Sequence, residues 1–67
     1  MKKLLKLKKE LTSKKELVEK SIHELQTNLE KESDPTLREQ LSKRIQYECG
    51  VWYGYADSIY QIELLLK

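Results

Sequence analysis

"CGVWYGYADSIY", residues 49–60, decides how many helices this chain contains. It sets Gly50 and Gly54 among Trp52, Tyr53, Tyr55 and Tyr60. Read as a turn, the stretch would leave a final helix of only about three turns. Read as helix, it must hold two glycines at about 1 kcal/mol each relative to alanine. The flanking apolar positions arbitrate. Leu37, Leu41, Ile45, Cys49 (or the stem of Glu48), Trp52, Tyr55 or Ala56, Ile59, Ile62 and Leu66 recur three or four residues apart, straight through both glycines. An unbroken phase of that kind marks one face of a continuous α-helix, so both glycines are expected inside it.

Upstream, Leu4, Leu7, Leu11, Val18, Ile22, Leu25 and Leu29 form a second seam, with one rung missing at Lys14 or Lys15. Between the seams lies "ESDPT", residues 32–36. Proline disfavours helical geometry in the residue before it, and its missing N–H costs nothing in a first turn. Asp34 is therefore expected as N-cap and Pro35 as the first helical residue. A lesser break is conceivable at "SKKE", residues 13–16, which has the form of a capping box; one helix continuous through Thr12 and Ser13 is favoured. The expected fold is all-α: an antiparallel, coiled-coil-like two-helix hairpin forming a single domain over residues 1–67. Helix one should cover about 3–32, the turn 33–35 and helix two about 35–66.

Composition supports this class. A chain of 67 residues with two glycines, one proline and 36% charged side chains is helix-rich and close to the size at which one core is marginal. The net charge of +2 is too small to argue for nucleic acid, but its distribution is uneven. Residues 1–15 hold seven lysines against Glu10, whereas residues 16–34 hold two lysines against six acids. A single cysteine excludes an internal disulfide and a cysteine-based zinc cluster, and fits a reducing compartment. "MKKLLKLKK" begins like a signal peptide, but lysines interrupt the apolar run such a peptide needs. The expected location is cytoplasmic.

Folding about residues 33 and 34 should pair positions whose numbers add to about 67. Leu29 then meets Leu37 or Arg38, Leu25 meets Leu41, Ile22 meets Ile45, and Leu11 meets Tyr55 and Ala56. Trp52 falls opposite the missing rung, where lysine stems can lie along the indole with a cation–π contribution. The lysines of helix one lie beside the end of helix two, near Asp57 and Glu63.

At 100° per residue, Gly50 and Gly54 face away from this seam. Tyr47, Val51, Ser58 and Leu65 surround that back face, and Tyr53, Tyr60 and Leu64 make a further strip. A helix apolar almost all round is normally buried, yet a hairpin covers only one stripe. Gly50 and Gly54, extended by Ser58 four residues on, offer a flat path for close helix approach. These nine residues are the expected partner interface; a local kink at the glycines is the competing reading. Completion to a four-helix bundle, by dimerisation or by another helical protein, is expected.

No catalytic, cofactor-binding or metal-binding set is expected. His23 lies on the polar side of helix one and Cys49 at the edge of the seam, more than a turn apart, so they do not pair. There is no phosphate-cradling glycine loop and no HExxH, so the chain is read as non-enzymatic. Lys2, Lys6 and Lys9, with Lys3 and Lys14 beside them, form a stripe that could contact phosphates. A solvated helix face is the commoner role for such lysines. A membrane-surface role with Leu4, Leu5 and Leu7 inserted is weaker. Residues 49–66 do not suit a span, because Asp57 at the centre would cost about 2.5–3.5 kcal/mol.

In length and hairpin form the chain resembles Rop, the family of plasmid RNA-binding dimers, and the small helical co-chaperones of type III secretion needles. "WYGYADSIY" is similar to the W-x-G-x-A stretch of WxG-type secreted proteins. That likeness covers nine residues and falls in mid-helix, whereas the family carries the motif at its hairpin turn. The functional expectation is a small interaction module of adaptor, inhibitor or co-chaperone type, using the aromatic half of helix two. The alternative is a Rop-like RNA-binding dimer using Lys2, Lys6 and Lys9.

Overall fold

The structure, a computed structural model, describes residues 2–67. It consists of two α-helices, α1 (Lys2–Lys31) and α2 (Pro35–Leu66), packed side by side along their length in a rod of 50 × 14 × 13 Å. Helix α1 passes through Thr12 and Ser13 without interruption. The Thr12 hydroxyl donates to the Lys8 carbonyl (2.8 Å), the back-bond to the preceding turn by which a threonine inside a helix satisfies its hydroxyl.

The turn is held by local groups. Asp34 adopts an extended conformation (φ −75°, ψ 120°), and its Oδ1 accepts from the N–H groups of Thr36 (2.8 Å) and Leu37 (3.4 Å). Pro35 then enters the helix where no N–H is required. The end of α1 is closed from the other side. Arg38 Nη1 donates to the carbonyl oxygens of Leu29 (2.7 Å) and Glu32 (2.8 Å) at the end of the helix, where Leu29 O also accepts from the Glu32 N–H at 3.3 Å. The expected contact at Leu29 is thus made by Arg38.

Helix α2 is continuous through residues 49–60, and neither glycine has positive φ. The turn reading of that stretch is therefore excluded. The seam is realised over most of its length: Leu4, Leu11, Val18, Ile22, Leu25 and Leu29 of α1 are half-buried, as are Leu41, Ile45, Trp52, Tyr55, Ala56 and Leu66 of α2. Among the described residues only Ile59 and Ile62 are buried apolar residues; Glu48, about three turns earlier in α2, is buried as well. Glu48 was one of two candidates for its rung; the structure buries it more deeply than Cys49 and pairs its Oε1 with Arg44 Nε at 3.1 Å.

Two seam assignments need correcting. Leu7 and Leu37 are exposed. Near the open end, Lys8 takes the half-buried place beside α2 and reaches Glu63 Oε1 at 3.4 Å. At the turn, Arg38 fills the gap over the α1 carbonyls, which leaves Leu37 outside.

The missing rung is filled as the register implied. Lys15 is half-buried, with its Nζ 5.1 Å from the centroid of the Trp52 ring. The indole also makes a contact that the register did not single out: Nε1 donates to Glu19 Oε1 at 2.7 Å. Trp52 is half-buried, less enclosed than expected. With only a second helix against it, one side of the ring stays open to solvent.

Candidate protein contact surface

The candidate surface lies on the part of α2 that α1 does not cover. Tyr47, Tyr53, Tyr60, Leu64 and Leu65 are all exposed, Tyr53 to 68% and Leu65 to 67%. Val51 is half-buried, and Gly50, Gly54 and Ser58 are exposed. A Cβ built on either glycine would meet nothing within 4 Å. The glycines form an open floor one side chain deep, between two aromatic strips.

These strips point to opposite flanks of the hairpin. At 100° per residue, Tyr53, Tyr60 and Leu64 share a side with Glu63, hence with the Lys8 ion pair. Exposed Leu5 of α1 falls on this side too. Tyr47, Val51, Ser58 and Leu65 fall on the other. Leu37 belongs with this second set: it lines one shallow concavity with Asn28 and Glu32 of α1 and Gln40 of α2.

Two of the tyrosines are oriented by neighbours. The Tyr53 ring meets Trp52 edge-on, with centroids 5.1 Å apart and planes at 86°, the geometry favoured by aromatic quadrupoles. The Arg44 guanidinium lies 5.8 Å from the Tyr47 ring centroid and is itself held by Glu48. Side chains restrained in this way lose less conformational freedom when a partner covers them.

Lys2, Lys6 and Lys9 are exposed, and none of them forms an ion pair among the described residues. Lys6 and Lys9 line an open concavity together with Glu10, Ser13 and Lys14. His23 is exposed on α1, while Cys49 is a half-buried free thiol on α2. Among the described residues no three His, Cys, Asp or Glu side chains are placed to hold a metal ion. No helix of the described residues is long and apolar enough to cross a membrane.

No protein-family model, curated protein or solved structure matches the chain.

Sequence reasoning did not include Leu17 or Leu5 in the surface, although both are strongly exposed, Leu17 to 68%. Each falls out of phase with the α1 seam, and that was the available signal: an apolar residue off the seam of a hairpin faces solvent or a partner.

Proposed function

We propose that the protein is a small, non-enzymatic, cytoplasmic interaction module of adaptor, inhibitor or co-chaperone type, with the aromatic half of α2 as its contact surface. One observation carries this reading. Five tyrosine and leucine side chains stand exposed between residues 47 and 65, while only two apolar side chains are buried among the described residues. Exposed apolar surface on that scale marks an interaction site more often than a free surface. The matching partner is helical: a second copy of the chain, another protein, or both, completing a four-helix bundle.

A photo-crosslinking residue introduced at Tyr60 or Tyr53, in the cell of origin, tests this. Adducts with a defined protein should form there and be absent from probes at Glu30 or Lys20 on α1. Equal labelling from all four positions would reject α2 as the contact surface.

The unpaired lysines support a second reading, an RNA-binding dimer contacting phosphates through Lys2, Lys6 and Lys9. Each neutralised phosphate should then contribute about −0.7 to −0.9 to the slope of log affinity against log salt. An RNA affinity insensitive to salt, or unchanged by replacing the three lysines with glutamine, removes this reading.

A further inference from the structure

We propose that a second copy of this chain covers the strip formed by Leu37, Tyr47, Val51 and Leu65, together with Leu17 of α1, and that the two hairpins run antiparallel. The inference rests on the contact reading above but uses only one of the two strips, so the two can fail separately.

Area comes first. A compact folded chain of 8.0 kDa exposes about 4,450 Å². The hairpin exposes 5451 Å², an excess of about 1,000 Å², whereas each partner in a standard protein interface buries about 800 Å². Covering one flank with an equal hairpin would remove most of that excess, leaving about 4,650 Å² exposed per chain.

The strip is also self-complementary. Leu37, Arg44, Val51, Ser58 and Leu65 follow one another at steps of seven. In a straight helix this series drifts about 20° per step, and the gentle left-handed supercoil of packed helices removes the drift. Reversing the chain about Val51 places Leu37 on Leu65 and Arg44 on Ser58, the reciprocity that a two-fold interface requires. Leu17 lies eleven residues, about three turns, before Asn28, which lines the same flank as Leu37. In the expected pairing of α1 with α2, Leu17 stands level with Gly50 and Val51. It is among the most exposed apolar side chains of the molecule, and it would sit near the two-fold axis.

Charge selects the orientation. The open end of the rod, residues 1–15 and 51–67, carries eight cationic side chains against three acidic, a net of +5. The turn end, residues 16–50, carries five against eight, a net of −3. Antiparallel copies place each positive end against a negative one, whereas parallel copies would stack +5 on +5. The strip of Tyr53, Tyr60 and Leu64 stays outward on both copies, available to a different protein.

The experiment uses the full chain. Sedimentation at about 100 μM should show a dimer, since an interface of standard size supports at least micromolar affinity. A spin label on Ser33→Cys, in a Cys49→Ala background, reads the orientation. Antiparallel packing puts the two labels a distance of the order of the 50 Å rod apart, whereas parallel packing puts them about 10–20 Å apart. Leu17→Lys alters an exposed side chain and should leave the hairpin helical while raising the dimer dissociation constant at least tenfold. Tyr60→Lys should leave that constant unchanged. A folded monomer at this concentration, a short label distance, or a Leu17→Lys dimer as tight as the unmodified one would each overturn the proposal.

Discussion

Replacing Gly50 or Gly54 with alanine should stabilise the hairpin. In a helix interior, glycine is less favourable than alanine by about 0.8–1.0 kcal/mol, partly because it leaves the unfolded chain more freedom. Two terms could cancel that gain, and the structure removes both. Neither glycine adopts positive φ, and a Cβ at either would meet no atom within 4 Å. The full gain of about 1 kcal/mol per site is therefore expected, which corresponds to a rise in Tm of about 4–8 °C for a domain of this size. Thermal unfolding followed by far-UV circular dichroism, at two protein concentrations well apart, separates the chain from its association. The propensity gain belongs to the helix and should be the same at both. Leucine at Gly54 should keep the helix content but weaken association, because a side chain of that size fills the floor between the strips. Were Gly50→Ala or Gly54→Ala to lower Tm at the dilute concentration, the open-helix account of residues 49–60 would be wrong.

Trp52→Ala should cost about 3 kcal/mol, at the low end for losing a large aromatic side chain, because the ring is only half-buried; chemical denaturation measures this, and an emission maximum equal to that of free indole in water would contradict the packing against Lys15 and Glu19. At the turn, Asp34→Ala should cost about 1 kcal/mol through the lost N-cap, and Arg38→Ala about 1–2 kcal/mol through two charge-assisted bonds at an exposed site; equilibrium unfolding with no loss in either variant would mean that solvent satisfies these groups equally well.

What could be read from the sequence was whatever depends on period and punctuation. The phase of the apolar residues fixed both helices and carried α2 through the glycines, and "ESDPT" located the turn with its cap and its first residue. The pairing rule placed lysine stems opposite Trp52, and Lys15 is there. Contacts that require the register to within a turn were not accessible. Glu19, one turn beyond Lys15, takes the indole N–H, and Lys8 displaces Leu7 at the open end by reaching Glu63. Arg38 and Leu37 illustrate a second limit. An arginine able to donate two charge-assisted bonds to helix-end carbonyls can take the place of a leucine there, because an exposed leucine costs little. The phase of Leu17 implied its exposure and the pairing rule its level opposite Gly50 and Val51; how fully it is exposed emerged from the packed hairpin.

The clamp at the turn also bears on the order in which the hairpin assembles. Arg38 and its carbonyl acceptors are separated by six and nine residues, so closing them fixes little chain. The Trp52–Glu19 bond spans 33 residues, and the Lys8–Glu63 pair lies farther out still. If the chain zips from the turn, each later contact closes only a short additional segment; if it closed first at the open end, the loop-closure cost would be about 1.6 kcal/mol higher than at the clamp. Folding is thus biased to nucleate at Asp34 and Arg38 and to finish at the aromatic end, and opening runs in the reverse direction. Slow amide exchange should be concentrated on the turn side of the rod and fade toward Lys2 and Leu66, so Tyr60, Leu64 and Leu65 belong to the part of the hairpin that settles last.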